Sequence, residues 1–260
     1  MKMHKEAVFL LSLTPYRGSD LIVTLLSPKF GRLAGLIYGG KKIGNKSSFP
    51  YHPGDYIEIE FQIQERNEFV KIYSVNAVRL VDVETLVYDR FLFHCYFLEV
   101  AKLISQPKSP ETELTDLIGF YLKQRWDRET KYNLMTAILW RLIVIGGYAI
   151  RFGMCSVCRR ETLRVGEDKT AVLRKQSYSL LPDAGEIVCL RCLPSPNRET
   201  VLSSSMIKVL WLANGSLSAD LLSRPIPENV VKPTIKLLSR YMLRSFDIKP
   251  KSAAMFVASL

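Results

Sequence analysis

The 260-residue sequence has only three histidines and five cysteines, and it contains no internal repeat or low-complexity tract. It also lacks an apolar run long enough to cross a membrane. A spanning helix needs about 20 consecutive apolar residues. The most apolar stretch, 86–104, is interrupted by Asp89, Arg90, Glu99 and Lys102. No membrane association is therefore expected. His4, His52 and His94 are far apart in sequence and outside the cysteine cluster, which argues against a histidine-based catalytic centre. No carboxylate spacing suits a Mg²⁺-dependent nuclease. The segment 39–47, Gly-Gly-Lys-Lys-Ile-Gly-Asn-Lys-Ser, imitates a phosphate-binding loop. Asn45 intrudes between Gly44 and Lys46, however, and Pro50 and Pro53 stand where that motif enters a helix. The chain is thus expected not to be an enzyme. Lys2 and Lys5 ahead of the apolar residues 7–13 imitate a short secretion signal. That apolar part is at the lower limit of length, and no small-residue cleavage site follows it. The stretch is read as a first strand and the protein as cytoplasmic.

The charge is not scarce. The net charge is +11, distributed as +4 over residues 1–80, −1 over 81–150, +4 over 151–198 and +4 over 199–260. Residues 1–50 alone carry eight Lys and Arg against Glu6 and Asp20. A basic balance of this size points to a polyanionic partner, nucleic acid before membrane, although it also aids solubility.

Four of the five cysteines form two Cys-x-x-Cys pairs, Cys155/Cys158 and Cys189/Cys192, with 30 residues between the pairs. Two intervening residues let a tight turn aim both sulfurs at one point. Two such turns supply the four tetrahedral ligands of a structural Zn²⁺. A closed four-thiolate site builds structure and performs no chemistry. Two disulfides or a redox pair are the competing uses; a reducing compartment favours the metal. Cys95 is expected to pack as a small hydrophobe. Arg159, Arg160, Arg164, Lys175 and Arg191 surround the cluster in sequence. They would either offset the negative charge of four thiolates around Zn²⁺ or contact nucleic acid.

Along the chain, residues 1–80 read as five strands: 6–14, 20–27, 30–38, 54–63 and 69–80. In the fourth, Ile57, Ile59, Phe61 and Ile63 alternate strictly with Tyr56, Glu58, Glu60 and Gln62, so one face is buried and one is wet. Five short strands punctuated by glycine suit a small barrel of the OB type. From Val83 the period becomes helical. A helix at 88–104 is apolar nearly all round and should be central in a bundle. A second is expected from Ser109-Pro110-Glu111 to about Trp126, a third over about 131–148 that ends near Gly146-Gly147, then 198–213, a short one at 217–222, and 228–246 with Pro233 kinking or delaying it. The fold class is α+β and multidomain. Residues 1–80 form an OB-type DNA-binding barrel, 81–150 the first part of a helical domain, 151–193 a zinc module, and 194–260 the second helical part.

The candidate nucleic-acid-binding residues are Arg17, Lys29, Arg32, Lys41, Lys42, Lys46 and Lys71, most of them in or beside inferred turns at strand ends. Phe49, Tyr51, Phe69 and Tyr73 could offer stacking faces, though any single aromatic here is more often core than platform. Lys71 stands between Phe69 and Tyr73 on one strand face.

The order of parts resembles the RecO family of bacterial recombination mediators over essentially the whole chain. The resemblance rests on Pro15-Tyr16-Arg17-Gly18-Ser19-Asp20 leading into 21–27, then Phe30-Gly31-Arg32-Leu33, Gly39-Gly40-Lys41-Lys42, Gly147-Tyr148 ahead of Cys155, and Lys251-Ser252. Gly18, Ile150 and Ala184-Gly185-Glu186 depart from that family's usual residues. The resemblance implies binding of single- and double-stranded DNA, annealing of complementary strands, and partnership with RecR and the single-strand-binding protein, at the nucleoid during repair. The rival reading is a structural zinc-ribbon adaptor that binds proteins and not DNA.

Overall fold

The computed structural model describes residues 2–40, 51–63, 69–165, 171–173, 176–193, 197, 200–214, 221–222 and 225–260, with backbone alone for 163–165 and 171–173. The chain divides into two compact units. One comprises Met1–Gln124 and Pro250–Ser259; the other comprises Arg125–Lys249 and Leu260.

In the first unit, β1 (Met3–Pro15), β2 (Leu21–Ser27), β3 (Gly31–Ile37), β4 (Tyr56–Gln62) and β5 (Phe69–Arg79) are joined in the order β1-β2-β3-β5-β4, and β4 closes back onto β1. Every neighbouring pair is antiparallel except β3 and β5, which run parallel. The alternation in β4 appears as expected: Ile57, Ile59 and Phe61 are buried inside, while Tyr56, Glu58, Glu60 and Gln62 face outward and are half-buried. Val8, Leu10, Val23, Leu25, Leu33 and Val70 complete the interior. Each such side chain, fully removed from water, contributes about 1.5–3 kcal/mol.

Helix α1 (Tyr88–Ile104) was expected to centre a helical bundle. It lies instead between β1 and two helices, α2 (Thr112–Lys123) and α6 (Ala253–Ala258). Its near-continuous apolar surface is therefore shared between sheet and helix. Phe93, Tyr96, Phe97, Tyr121 of α2 and Phe256 of α6 form one aromatic cluster. The second helix starts at Thr112, later than the expected Pro110. The reason is that the loop ahead of it is spent on the barrel. Arg32 donates its backbone N–H to the Gln106 carbonyl at 2.9 Å, and Glu111 donates to that of Pro28 at 3.0 Å. Gly31 permits this approach: its φ is +65°, and a Cβ there would sit 2.2 Å from the Ser109 carbonyl oxygen.

In the second unit, α3 (Lys131–Ile145) is buried along most of its length and packs on α4 (Ser204–Asn214) and α5 (Glu228–Ser245). Helix α5 runs through Pro233. Helix α3 ends at Ile145, at the Gly146-Gly147 pair expected to close it. Gly147 has φ +82°, and Gly146 faces the Phe246 ring, which would lie 2.1 Å from an added Cβ. The Tyr148 carbonyl then accepts a hydrogen bond from the Tyr241 hydroxyl at 2.8 Å.

Strands β6 (Arg151–Cys155), β9 (Tyr178–Leu181), β10 (Glu186–Cys189) and β11 (Val201–Leu202) form a sheet in the order β11-β9-β10-β6, and β7 (Leu163–Val165) pairs with β8 (Ala171–Leu173). Val201 and Leu202 were expected to be helical. They pair with Ser179 and Tyr178 instead, because β9 offers an open edge and Leu202 can bury completely there. Of the expected helix at 217–222, only 221–222 falls within the described residues, and both are helical.

Candidate metal centre and nucleic-acid surface

The four paired cysteines meet because β6 and β10 run side by side and parallel, and each ends in the first cysteine of its pair. The chain turns tightly after both. Arg159 donates its N–H to the Cys155 carbonyl at 3.0 Å, and Leu193 donates to that of Cys189 at 3.1 Å. Arg159 takes φ +57°, as the first turn requires. The Sγ atoms of Cys155, Cys158, Cys189 and Cys192 all lie within 4.8 Å of one another. The Cys158 and Cys189 sulfurs are 3.8 Å apart. Sulfurs at the corners of a tetrahedron of about 2.3 Å metal–sulfur bonds stand about 3.8 Å apart, whereas a disulfide needs about 2.05 Å. All four are free thiols. The donor set therefore fits one tetrahedral metal ion.

The environment favours thiolate at Cys155, one of the two buried members. Burial opposes ionisation of Cys155, yet amide N–H groups from Cys189, Cys158 and Val157 hold its thiol down to about 6. Cys192 is pushed up to about 12, first by its hydrogen bond with Cys189, then by desolvation and by the other two sulfurs. Cys95 lies in α1, far along the chain from this cluster. Burial and then the Glu99 carboxylate push its thiol up, as suits a packing residue. Arg159, Arg160 and Arg191 are exposed around the turns. The side chains of Arg164 and Lys175 lie outside the described residues.

On the barrel, the expected binding residues separate. Arg17 is exposed at the β1–β2 turn, its guanidinium carbon 5.5 Å from the centre of the Tyr16 ring. Lys29 is exposed in the β2–β3 turn. Lys71 is exposed on β5 beside Phe69 and Tyr73, and its ammonium sits 5.0 Å from the Tyr73 ring centre. Arg32 is half-buried and donates from its guanidinium to the Lys102 carbonyl at 2.8 Å, closing the end of α1. Its packing partner could not be seen from its own segment. Tyr51 packs against the barrel core. Lys41, Lys42, Lys46 and Phe49 lie outside the described residues. Opposite charge collects on β4, where Glu58 pairs with Lys5 at 3.0 Å and Glu60 points outward.

His94 has a packing role: its ring hydrogen-bonds the Pro53 carbonyl at 2.9 Å, and burial lowers its pKa. Among the described residues, no helix is long and apolar enough to cross a membrane.

Comparison with known proteins agrees with this architecture. The family models for the N-terminal and C-terminal parts of recombination protein O match residues 1–81 and 86–254. The DNA repair protein RecO of Syntrophus aciditrophicus is 25% identical over 211 residues, covering 80% of this chain and 78% of that protein. The same-named protein of Clostridium novyi is 22% identical over 262 residues, covering 98% and 94%. That of Thermodesulfovibrio yellowstonii is 27% identical over 195 residues, covering 75% and 72%. With both parts matched in chain order, this protein belongs to the RecO family.

Proposed function

We propose that the protein is a DNA-repair and recombination mediator of the cytoplasm. In this reading it binds single- and double-stranded DNA, anneals complementary strands, and helps load recombinase onto strands coated by single-strand-binding protein, with RecR as a further partner. The observation that carries the reading is the closed five-stranded barrel of a family named for recombination, with Arg17, Lys29 and Lys71 exposed at its turns and outer face. Lys41, Lys42 and Lys46 add three cations to one glycine-containing segment. Such groups neutralise backbone phosphates irrespective of sequence.

Cys155, Cys158, Cys189 and Cys192 would hold one Zn²⁺. The ion would supply cross-linking alone, since four thiolates leave no open coordination position. It would staple a small sheet whose own core is limited. No ATP turnover and no strand cleavage are expected.

A second reading, a zinc-ribbon adaptor for proteins, is favoured by one observation. Val157 and Met154 beside the first cysteine turn are 63% and 47% exposed. An annealing assay with labelled complementary strands, bare and coated with single-strand-binding protein, separates the two. Accelerated annealing of both supports the mediator; strands that reanneal at the uncatalysed rate leave only the adaptor.

A further inference from the structure

We propose that the cleft between the β9–β10 turn and α5 binds a phosphorylated nucleoside, either a free nucleotide or the 5′-phosphate end of a DNA strand. The cleft lies outside the barrel, and the proposal stands whether or not the barrel holds DNA.

The cleft has a volume of about 520 Å³. Sites for small ligands span about 300–1,000 Å³. Tyr148 and Arg151, from the link between α3 and β6, form one wall. The turn 182–185 forms a second, and Tyr241 and Arg244 of α5 form a third. The frame is fixed before any ligand arrives. Arg151 donates its backbone N–H to the Gly185 carbonyl at 2.7 Å, which ties the turn to β6. Gly185 has φ +60° and stands so close to Tyr241 that an added Cβ would sit 2.8 Å from its hydroxyl oxygen. Tyr241 is itself buried and bonded to the Tyr148 carbonyl.

The walls offer two cations and a ring. Arg151 reaches Glu186 at 2.7 Å, and Arg244 forks onto Asp183 with contacts of 2.8 and 3.1 Å. Both pairs are open to water: the side chains of Arg151, Arg244 and Asp183 are 73%, 62% and 80% exposed. Exposed pairs hold weakly, so either guanidinium can exchange its partner. A ligand carboxylate would gain little by replacing another carboxylate. A phosphate monoester carries nearly two charges and three free oxygens, enough to engage two guanidinium groups at once. The Tyr148 ring, 44% exposed on the same wall, packs at 80° to Phe246 and leaves room for a base to stack.

Titration calorimetry on the intact protein compares adenosine 5′-monophosphate, adenosine and inorganic phosphate. The monophosphate should bind, and adenosine should bind about 10-fold more weakly or worse. Arg244→Gln should weaken the monophosphate by about 10-fold. Asp183→Asn removes the competing carboxylate and should tighten it by about 2- to 5-fold, which loss of a purely structural ion pair would not do. Tyr148→Ala should weaken the monophosphate by about 5-fold or more and leave inorganic phosphate unchanged. Short strands with and without a 5′-phosphate separate the two sources. A preference for the phosphorylated strand that Arg244→Gln abolishes identifies a strand end; equal affinity identifies a free nucleotide. Absence of saturable monophosphate binding, equal binding of adenosine, or no gain from Asp183→Asn overturns the site. Strands that fail to bind while the monophosphate binds count against the DNA-binding barrel alone.

Discussion

The Glu99 carboxylate on α1 accepts three hydrogen bonds from the start of the C-terminal helix: the Ser252 hydroxyl at 2.6 Å, the Ser252 amide at 3.0 Å and the Lys251 amide at 2.8 Å. This contact ties residues 152 to 153 positions apart and seats Phe256, which is fully buried against Tyr96 and Phe93. It also gives physical content to the Lys251-Ser252 pair noted in the sequence.

Glu99→Gln should therefore loosen the C-terminal helix. Partial burial alone would raise the pKa of Glu99, but the Ser252 and Lys251 hydrogen bonds and the Lys102 charge outweigh it, so the net shift is downward. A lowered folded-state pKa stabilises above the unfolded value, about 4.3, and that contribution is lost as pH falls through the folded value. Discounted for its partly solvated setting, the loss should be about 1–2 kcal/mol at pH 7. Urea unfolding should show parent and variant converging below about pH 4.

Glu6 is the opposite case. It is 8% exposed on the inward side of β1, and among the described residues neither of its carboxylate oxygens has a hydrogen-bond partner. Glu6→Met, of similar length and apolar, should raise stability by about 1–3 kcal/mol. A lower melting temperature for the variant would refute this.

Gly146→Ala should destabilise although its backbone φ of −74° suits any residue. The obstacle is the Phe246 ring. Overpacking of this kind costs about 1–3 kcal/mol. Phe246→Leu should recover part of that loss in the double variant, and additive effects in the double-mutant cycle would place the strain elsewhere.

Elemental analysis should find one Zn²⁺ per chain. Cys158→Ser or Cys192→Ser should lower both zinc content and melting temperature, because metal binding here is folding free energy. Cys95→Ser should leave the zinc content unchanged. Zinc-free protein from a chelator-free preparation would contradict the assignment.

The features legible in the sequence were those whose signal is local. The period of two from Ile57 to Phe61 marked a half-buried strand, and paired Cys-x-x-Cys spacing marked a four-sulfur cluster. Helix α6 was missed because six residues make fewer than two helical turns, too short for a periodic signal, and it is held by Glu99 far upstream. Arg32 reads as a free cation in its own segment, yet it closes α1 through Lys102, 70 residues away. Strand β11 was missed because two residues become a strand only where β9 presents an edge. Short pieces fixed by distant partners leave no periodic trace.

The central claim is that the barrel binds DNA through phosphates. Its most direct test is the affinity for a labelled single strand across a salt series, for the parent and for the variant with Lys41, Lys42 and Lys46 changed to Ala. Neutralising about 4–6 phosphates gives a slope of log K against log salt of roughly −3 to −4, and the triple variant should be shallower by about 2. Unrelated sequences should weaken alike, and the melting temperature should barely change. A slope near zero, or no binding at low salt, would contradict the claim.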